Sequence, residues 1–179
     1  MTRSSEGSAG VPRGFAVTLA TEQFEEIPEY AQIVKQSAAA IGIDISLSIT
    51  SQTEYYGAGT FGQSPWLDAT MSIVDYGARG VPNVYLEAPL QSINLKTGQG
   101  SWNAAHFNDP TYDALSKEYV AAVDLSTQRR LAGQIESLLL DETPIIWAYF
   151  FDGLTAQAKN VSGIYPAPLS IFYYNMTKS

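Results

Sequence analysis

The sequence has no cysteine and a single histidine among its 179 residues. The lack of cysteine excludes disulfides, thiolate zinc sites, cysteine nucleophiles and dithiol redox motifs. A chain of this length can bury about two thirds of its unfolded surface, so it needs neither a disulfide nor a metal to hold a fold. Because many exported bacterial proteins also lack disulfides, the missing cysteines do not indicate a compartment.

Positive charge and long apolar runs are also scarce. Ten Lys and Arg stand against 18 Asp and Glu, which gives a net charge of −8 and a pI near 4.5. Nucleic acids and anionic membranes select clustered Lys and Arg, so we predict no nucleic-acid partner. The longest apolar run, from Ile145 to Phe151, is far shorter than the roughly 20 residues that span a bilayer, so we predict no direct membrane insertion.

Residues 1–12 are mostly small and polar, and we predict that they are a disordered leader or an artificial remnant. They lack the apolar core of a signal peptide, so we expect that the chain as it stands is not exported. We find no internal repeat and no second boundary, and residues 13–179 are predicted to form a single α/β lobe.

The clearest pattern after the leader is strand, helix, strand. Phe15, Val17 and Leu19 alternate with small residues, and a second alternation runs from Ile43 to Ile49. Between them a helix is predicted from about Pro28, ending before a left-handed Gly42. Its predicted buried face consists of Tyr30, Ile33, Val34, Ala38 and Ile41. Such a unit should be parallel and right-handed.

Two further helices are predicted downstream. Asp109 and Pro110 are typical of a helix start, and a second helix should begin near Ser126 and end before Pro144. The run IIWAYFF that follows does not alternate, so we predict a central strand that is covered on both faces. One more strand is predicted over 155–159, and the apolar tail from Tyr165 should need a partner surface.

The stretch LDATMSIVDYGARGVPN, residues 67–83, is predicted to be a strand that ends in a polar turn. Its turn carries Asp75, Tyr76 and Arg79, and Arg79 is the only lysine or arginine between Lys35 and Lys96. A carboxylate, a phenol and a lone cation at a strand end could hold a small polar ligand. A surface turn with a weak ion pair is the alternative.

No catalytic or metal-binding grouping emerges from the sequence. His106 stands alone, and the nearby Asp109 and Asp113 are explained as a helix cap and a first-turn acid. No serine occupies the sharp strand-to-helix turn that a GxSxG motif would supply. We therefore predict no cofactor, no metal and no enzymatic activity.

Aromatic residues are concentrated in predicted loops and strand ends. As a group they favour the lining of a binding cleft, although each one could instead cap the core from outside. The residues concerned are Tyr55, Tyr56, Trp66, Tyr76 and Trp102.

The order of these segments resembles the C-terminal lobe of the extracellular solute-binding proteins of peptide- and nickel-type ABC importers, the class of oligopeptide- and dipeptide-binding proteins. The segments that carry the resemblance span roughly residues 14 to 164. They are GFAVTLA, YAQIVKQSAAAIGIDISL, FNDPTYDAL and VDLSTQRRLAGQIESLLLDETPIIWAYFF.

The resemblance implies one lobe of a type II periplasmic-binding-protein fold, with a mixed sheet flanked by helices. It implies a bacterial, periplasmic or extracellular, membrane-associated parent protein that captures a peptide or other small polar solute for import. In that parent, an N-terminal lobe and a membrane permease would be the partners. A protein–protein interaction module and an enzyme built on a binding-protein lobe remain alternatives.

The ligand-binding residues expected on this basis are Asp75, Tyr76, Arg79 and Trp102. Peptide-binding members commonly have a tryptophan and then an aspartate after the strand that matches residues 67–73. Counted back from Pro82, those two positions hold Asp75 and Ala78 here. With Arg79 adjacent, we expect the site to prefer a ligand with a carboxylate or hydroxyls over one led by an ammonium group. If the gap in the alignment falls differently, Asp75 would still bind an amine.

Overall fold

The computed structural model describes residues 14–77, 79–150, 155–167 and 170–179. The predicted leader, together with Ala78 and Phe151, lies outside the described residues. In chain order the elements are β1 (Phe15–Glu22), α1 (Ile27–Ala39), β2 (Ile43–Thr50), α2 (Gln52–Tyr56), α3 (Pro65–Asp68), β3 (Met71–Ser72), α4 (Asn83–Glu87), α5 (Pro110–Ala121), α6 (Leu125–Glu142), β4 (Val161–Ser162), β5 (Tyr165–Ala167), β6 (Ser170–Phe172) and β7 (Thr177–Lys178).

The predicted βαβ unit is confirmed. β1 pairs in parallel with β2 from Phe15 opposite Ile43 to Glu22 opposite Thr50. β1 also pairs in parallel with β3, which gives a three-stranded sheet in the order β2-β1-β3. Gly42 has a φ of 87°, the left-handed conformation expected just after a helix. An α/β architecture with β1 in the middle of the sheet follows from this segment.

Helix α1 covers one face of the sheet. Its small residues Ala31 and Ala38 pack against Leu19 and Ile45 and allow close approach of helix and sheet. The predicted buried face was wrong for Ile33 and Ile41, which are 59% and 56% exposed. A sheet of three strands is narrow, so α1 buries one stripe centred on its alanines and leaves Ile33 in water, while Ile41 lies beyond the end of the helix at Ala39.

Two smaller cores lie beside this one. Tyr55, Trp66 and Leu67 pack on the other side of the sheet around Ala20. Tyr112 of α5 and Ile135 of α6 form the third core, together with Leu90. The predicted start of α5 is confirmed, because the Asp109 carboxylate accepts from the backbone N–H groups of Thr111 at 2.7 Å and Tyr112 at 2.9 Å.

The strand predicted from Leu67 is much shorter in the structure. Pro65 opens the helix α3, and the Asp68 carboxylate accepts from the backbone amides of Gly62 and Ser64. These hydrogen bonds hold residues 62–68 in a compact local turn. The strand therefore starts later, and only Met71 and Ser72 pair with β1.

The run IIWAYFF was wrongly predicted to be the central strand. In the described part of the chain, β2 and β3 occupy both edges of β1, and residues 145–150 pair with neither sheet edge. Ile146 is 78% exposed and Phe150 is 90% exposed. In the described residues β1 is already paired on both sides, so the central position of the sheet is taken.

Among the described residues, the C-terminal strands pair only with one another. The stretch predicted as a strand over 155–159 has no regular structure over 155–158. Beyond it, β4 pairs with β7 and β5 with β6, both antiparallel. Tyr165, Tyr173 and Tyr174 are 53%, 56% and 77% exposed, so the apolar tail keeps much of its aromatic surface in water.

Candidate functional site

The carboxyl ends of the three parallel strands meet at one edge of the sheet. β1 ends at Glu22, β2 at Thr50 and β3 at Ser72, and the chain continues from them into α1, α2 and the residues 73–77. In open α/β sheets, ligands bind outside the carboxyl ends of the strands. This edge is therefore the candidate site.

Glu22 is the most deeply buried acid of the edge, with no exposed surface. Its carboxylate accepts from the Gln52 side-chain amide at 2.7 Å and from the Tyr56 hydroxyl at 2.6 Å. Burial, followed by the hydrogen bond and the charge of Glu22, raises the pKa of Tyr56 above its usual range. The two donors satisfy both oxygens of a carboxylate that would otherwise be costly to bury.

Tyr55 holds the residues that follow β3. Its ring has no exposed surface, and its hydroxyl donates to the Ile73 carbonyl at 2.6 Å, with the Ala20 carbonyl further away at 3.3 Å. Burial raises the pKa of this hydroxyl. Helix α2 thus ties β1 to the segment that carries the predicted site residues.

Asp75 is partly buried next to other carboxylates. Its burial, followed by the charges of Glu22 and Glu26, raises the pKa of the Asp75 carboxyl. Glu26 accepts from the Tyr149 hydroxyl at 3.0 Å, and the Tyr149 ring meets Tyr30 edge to face. Negative charge therefore accumulates at this part of the edge.

Tyr76 and Trp102, both predicted as site residues, lie together. Their rings are stacked with centroids 6.1 Å apart and planes inclined by 22°, and Tyr85 contacts Tyr76 at 5.6 Å. Burial raises the pKa of Tyr76 to about 12. The Trp102 backbone amide donates to the Ala88 carbonyl at 2.9 Å, which positions the long loop that carries it. Tyr76, the residue after Asp75, thus forms an aromatic group with Trp102 and Tyr85.

Arg79 is exposed, and its guanidinium turns toward its own loop. The Nη1 group donates to the Gly77 carbonyl at 2.9 Å, and the Tyr85 hydroxyl donates to the same oxygen. The charged groups that raise the pKa of Asp75 are Glu22 and Glu26. The predicted roles of the four residues as ligand contacts stay predictions.

Two grooves lie away from the candidate edge. One groove of about 610 Å³ lies between the 92–99 loop and α5, and another of about 670 Å³ lies on the sheet face opposite α1. Neither groove is lined by a predicted site residue.

In the described residues, no group of three or more histidines and acids is placed to hold a metal ion. His106 instead contacts the Leu67 carbonyl at 3.4 Å and the edge of Phe61.

Sequence reasoning missed Glu22 and Gln52 and misplaced two aromatics. Tyr55 and Trp66, expected in loops, are 0% and 5% exposed and belong to the core. A signal for Glu22 was present, since an acid at the last position of the first strand of a parallel unit must lie at the carboxyl edge. The burial of Glu22 could not be predicted from the sequence, because the residues that cover it come from α2.

Comparison with known proteins identifies the fold. No protein-family model matches the sequence. The dipeptide-binding protein DppE of Bacillus subtilis is 28% identical over 160 residues, which are 86% of this chain and 26% of that protein. The chain therefore spans about a quarter of the length of this relative.

Two solved structures share the fold. A dipeptide-binding protein from Pseudoalteromonas sp. SM9913 in complex with Met-Leu has a TM-score of 0.66 and 16% identity, covering 99% of this chain and 35% of that one. The ABC transporter-associated periplasmic binding protein DppA from Helicobacter pylori, in complex with the peptide STSA, has a TM-score of 0.65 and 19% identity, covering 79% and 27%.

These similarities confirm the predicted resemblance and the predicted α/β lobe of a type II binding protein. The chain is similar to a fragment of the peptide-binding components of ABC importers. The three proteins are named as binding proteins, and none is named as an enzyme. Among the described helices, none combines the length and apolar character needed to cross a membrane.

Proposed function

We propose that the chain is a ligand-binding piece of the substrate-binding component of an ABC importer, which captures a peptide or another small polar solute. The observation that carries this proposal is the carboxyl edge of the parallel sheet. There the pKa of a partly buried Asp75 is raised by burial and by the charges of Glu22 and Glu26, and the next residue, Tyr76, stacks on Trp102. A carboxylate followed in the chain by an aromatic group is suited to a small ligand with an amine and an apolar side chain.

Each predicted residue has a role in this proposal. Asp75 would accept a hydrogen bond from the ligand's amine, which would also relieve the repulsion between the three carboxylates. Tyr76 and Trp102 would contact the apolar part of the ligand. Arg79, beyond Gly77, would bind a carboxylate or hydroxyl of the ligand. A short peptide with a free amine and a free carboxylate would therefore have a partner for each group, Asp75 for the amine and Arg79 for the carboxylate.

The rest of the binding protein would supply the other half of the site. The quarter-length match to DppE supports a two-lobe parent, in which this lobe closes on the ligand with an N-terminal lobe. In that parent, a periplasmic or extracellular location and a membrane permease as partner would follow. The protein would bind its ligand without chemical change.

The test is a titration of the isotope-labelled chain with the dipeptide Met-Leu, followed by NMR. We expect weak binding, with resonance changes concentrated at residues 74–77 and at Trp102. N-acetylated Met-Leu lacks the amine and should cause smaller changes. Asp75→Asn should remove this difference between the two peptides, while Asp44→Asn, which removes an exposed acid of β2, should preserve it.

Two results would contradict the proposal in different ways. Resonance changes that avoid the carboxyl edge would argue against the site. Micromolar or tighter binding by calorimetry would argue against the need for a second lobe, because half a cleft lacks half of the contacts.

A protein–protein interaction module is the second candidate function. It is favoured by the exposed aromatics of the 145–150 segment and of the tail. Light scattering distinguishes the two candidates, since a stable dimer of this chain would support the interaction module, and a monomer that binds Met-Leu would support the transport function.

A further inference from the structure

We propose that Asn103 is a positioning residue of the candidate site, whose side-chain amide closes the loop of residues 92–106 and thereby holds Trp102 against Tyr76. The inference rests on the proposed function only for what Trp102 contacts. The way in which the loop is held follows from hydrogen bonds between described residues.

The loop that carries Trp102 has little regular structure. Between α4 and α5 the described strand pairing is one isolated bridge, Asn94 with Gln99. Ordering a loop of this length costs conformational entropy, so side-chain contacts are needed to keep it in one conformation. One anchor is the Trp102 amide, which donates to the Ala88 carbonyl at 2.9 Å.

The Asn103 side chain supplies three further hydrogen bonds, and it has no exposed surface. Its Nδ2 group donates to the Gln91 carbonyl at 2.9 Å and to the Phe107 carbonyl at 2.8 Å. Its Oδ1 atom accepts from the Phe107 backbone amide at 2.9 Å. Gln91 and Phe107 lie on either side of the loop, so one side chain joins its two ends. A carboxylate could not replace it, because an ionised acid has no hydrogen to donate to the two carbonyls.

The backbone around Asn103 is shaped for this contact. Gly100 has a φ of 65°, and a side chain there would overlap the Gln91 carbonyl oxygen, which is the oxygen that Asn103 binds. His106 has a φ of 52°, a left-handed conformation that is uncommon outside glycine. Such conformations persist where neighbouring contacts hold them, and Asn103 binds both backbone groups of the next residue, Phe107.

Trp102 directly precedes Asn103, so a fixed Asn103 leaves the Trp102 ring few orientations. The ring stacks on Tyr76, with centroids 6.1 Å apart and planes inclined by 22°. Tyr76 belongs to the segment that follows β3, so the stack joins the loop to the carboxyl edge of the sheet. Trp102 is half-buried, which leaves part of its surface for a ligand to cover.

The experiment is fluorine NMR of the chain labelled with fluorotryptophan. The chain has three tryptophans, and the variant Trp102→Phe identifies the Trp102 resonance by its loss. In the original chain Tyr76→Leu should shift this resonance, because it removes the stacked ring. In Asn103→Ala the Trp102 resonance should move, and Tyr76→Leu should then have less than about half of its original effect. A role in stability alone would leave the full effect of Tyr76→Leu in the folded variant.

Ser116→Ala is the matched control. Ser116 is fully buried as well, and its hydroxyl accepts from the Gln91 side-chain amide. The substitution therefore removes a buried hydrogen bond from the same region without touching the Asn103 amide. It should preserve both the Trp102 resonance and its response to Tyr76→Leu.

A Trp102 resonance that keeps its position in folded Asn103→Ala would overturn the proposal. If Asn103→Ala does not fold, Asn103→Ser decides, because its hydroxyl keeps one donor and should give a smaller shift in the same direction. Loss of the fold in both variants would also count against the proposal, since Asn103 would then hold the whole fold rather than the position of Trp102.

A titration with Met-Leu separates this proposal from the proposed function. Asn103→Ala should weaken binding about fivefold, as expected for the loss of one aromatic contact. If Met-Leu perturbs neither the original chain nor the variant, the proposed function fails, while the fluorine resonances still decide whether Asn103 holds Trp102. If both chains bind equally, Asn103 is not a positioning residue, and the proposed function stands.

Discussion

At the scale of single residues, Asp75 has the least favourable surroundings of the described acids at the carboxyl edge. Burial and two neighbouring carboxylates all disfavour its charged form. A residue that costs stability at neutral pH is typical of a binding site, where the ligand and not the fold satisfies the group. This physical conflict is the main reason to place the ligand at Asp75.

We therefore expect Asp75→Asn to raise the melting temperature at pH 7. A carboxyl whose folded-state pKa is raised contributes stability below its ordinary pKa of 3.8 and loses it as the pH rises through the raised value. The advantage of the asparagine variant should therefore shrink toward pH 3.8. Thermal melts at a series of pH values measure it.

Asp44→Asn controls for the general effect of one negative charge in a chain of net charge −8. A melting temperature that falls at pH 7 in Asp75→Asn, but not in this control, would show that the Asp75 carboxylate stabilises the fold.

At this scale the sequence indicated the site residues but not their surroundings. The proximity of Asp75 and Tyr76 could be predicted from the sequence, since they are consecutive residues. The stacking of Tyr76 on Trp102 could not be predicted, because 26 positions separate the two residues and the loop that follows α4 brings them together.

At the scale of elements, the helices were predicted well because their signals are local. Caps such as Asp109 form within three residues, and the buried stripe of a helix follows from its period. In α6 the stripe includes Leu131, which is 1% exposed, while Leu140 on the same helix is 81% exposed. This pair allows a matched test of how far the packing of α6 stabilises the chain.

Leu131→Ala should lower the free energy of unfolding by about 2–5 kcal/mol, the range found for buried leucines. Leu140→Ala should change it by less than about 0.5 kcal/mol, because the side chain is already in water. Urea unfolding followed by circular dichroism measures both. Equal effects of the two substitutions would mean that α6 is not anchored through the face that contains Leu131.

Strands were predicted less well than helices, because a strand depends on a partner elsewhere in the chain. The alternation of β1 and β2 was sufficient, since the helix between them brings them together. The apolar run at 145–150 had the composition of a central strand, but the central strand of the sheet is β1, which β2 and β3 flank.

At the scale of the whole molecule, exposed apolar surface is the dominant feature. Trp147 and Phe150 are 55% and 90% exposed, and Tyr149 reaches Glu26 near the candidate site. Folded monomers rarely leave a group of large apolar side chains in water unless it is an interaction surface. In the proposed two-lobe parent, the other lobe would cover this surface.

The folded chain should therefore bind the dye ANS. The double substitution Trp147→Ser and Phe150→Ser should reduce ANS fluorescence strongly while lowering the melting temperature by less than about 4 °C, which corresponds to roughly 1 kcal/mol. Leu95→Ser removes an isolated exposed leucine, 76% in water, and should leave the fluorescence nearly unchanged. An unaltered signal in the double variant would place the apolar surface elsewhere.

The sequence by itself determined the βαβ unit, the starts of α5 and α6, and the class of protein that the chain resembles. These features depend on periodicity, on capping within a few residues, and on the order of segments along the chain. The tertiary structure alone decided that Glu22 is buried under Gln52 and Tyr56, that Tyr76 meets Trp102, and that 145–150 finds no strand partner. Each of these features depends on which surfaces and strand positions are still available once the local elements have packed. That depends on residues distant in sequence, so no single segment predicts it.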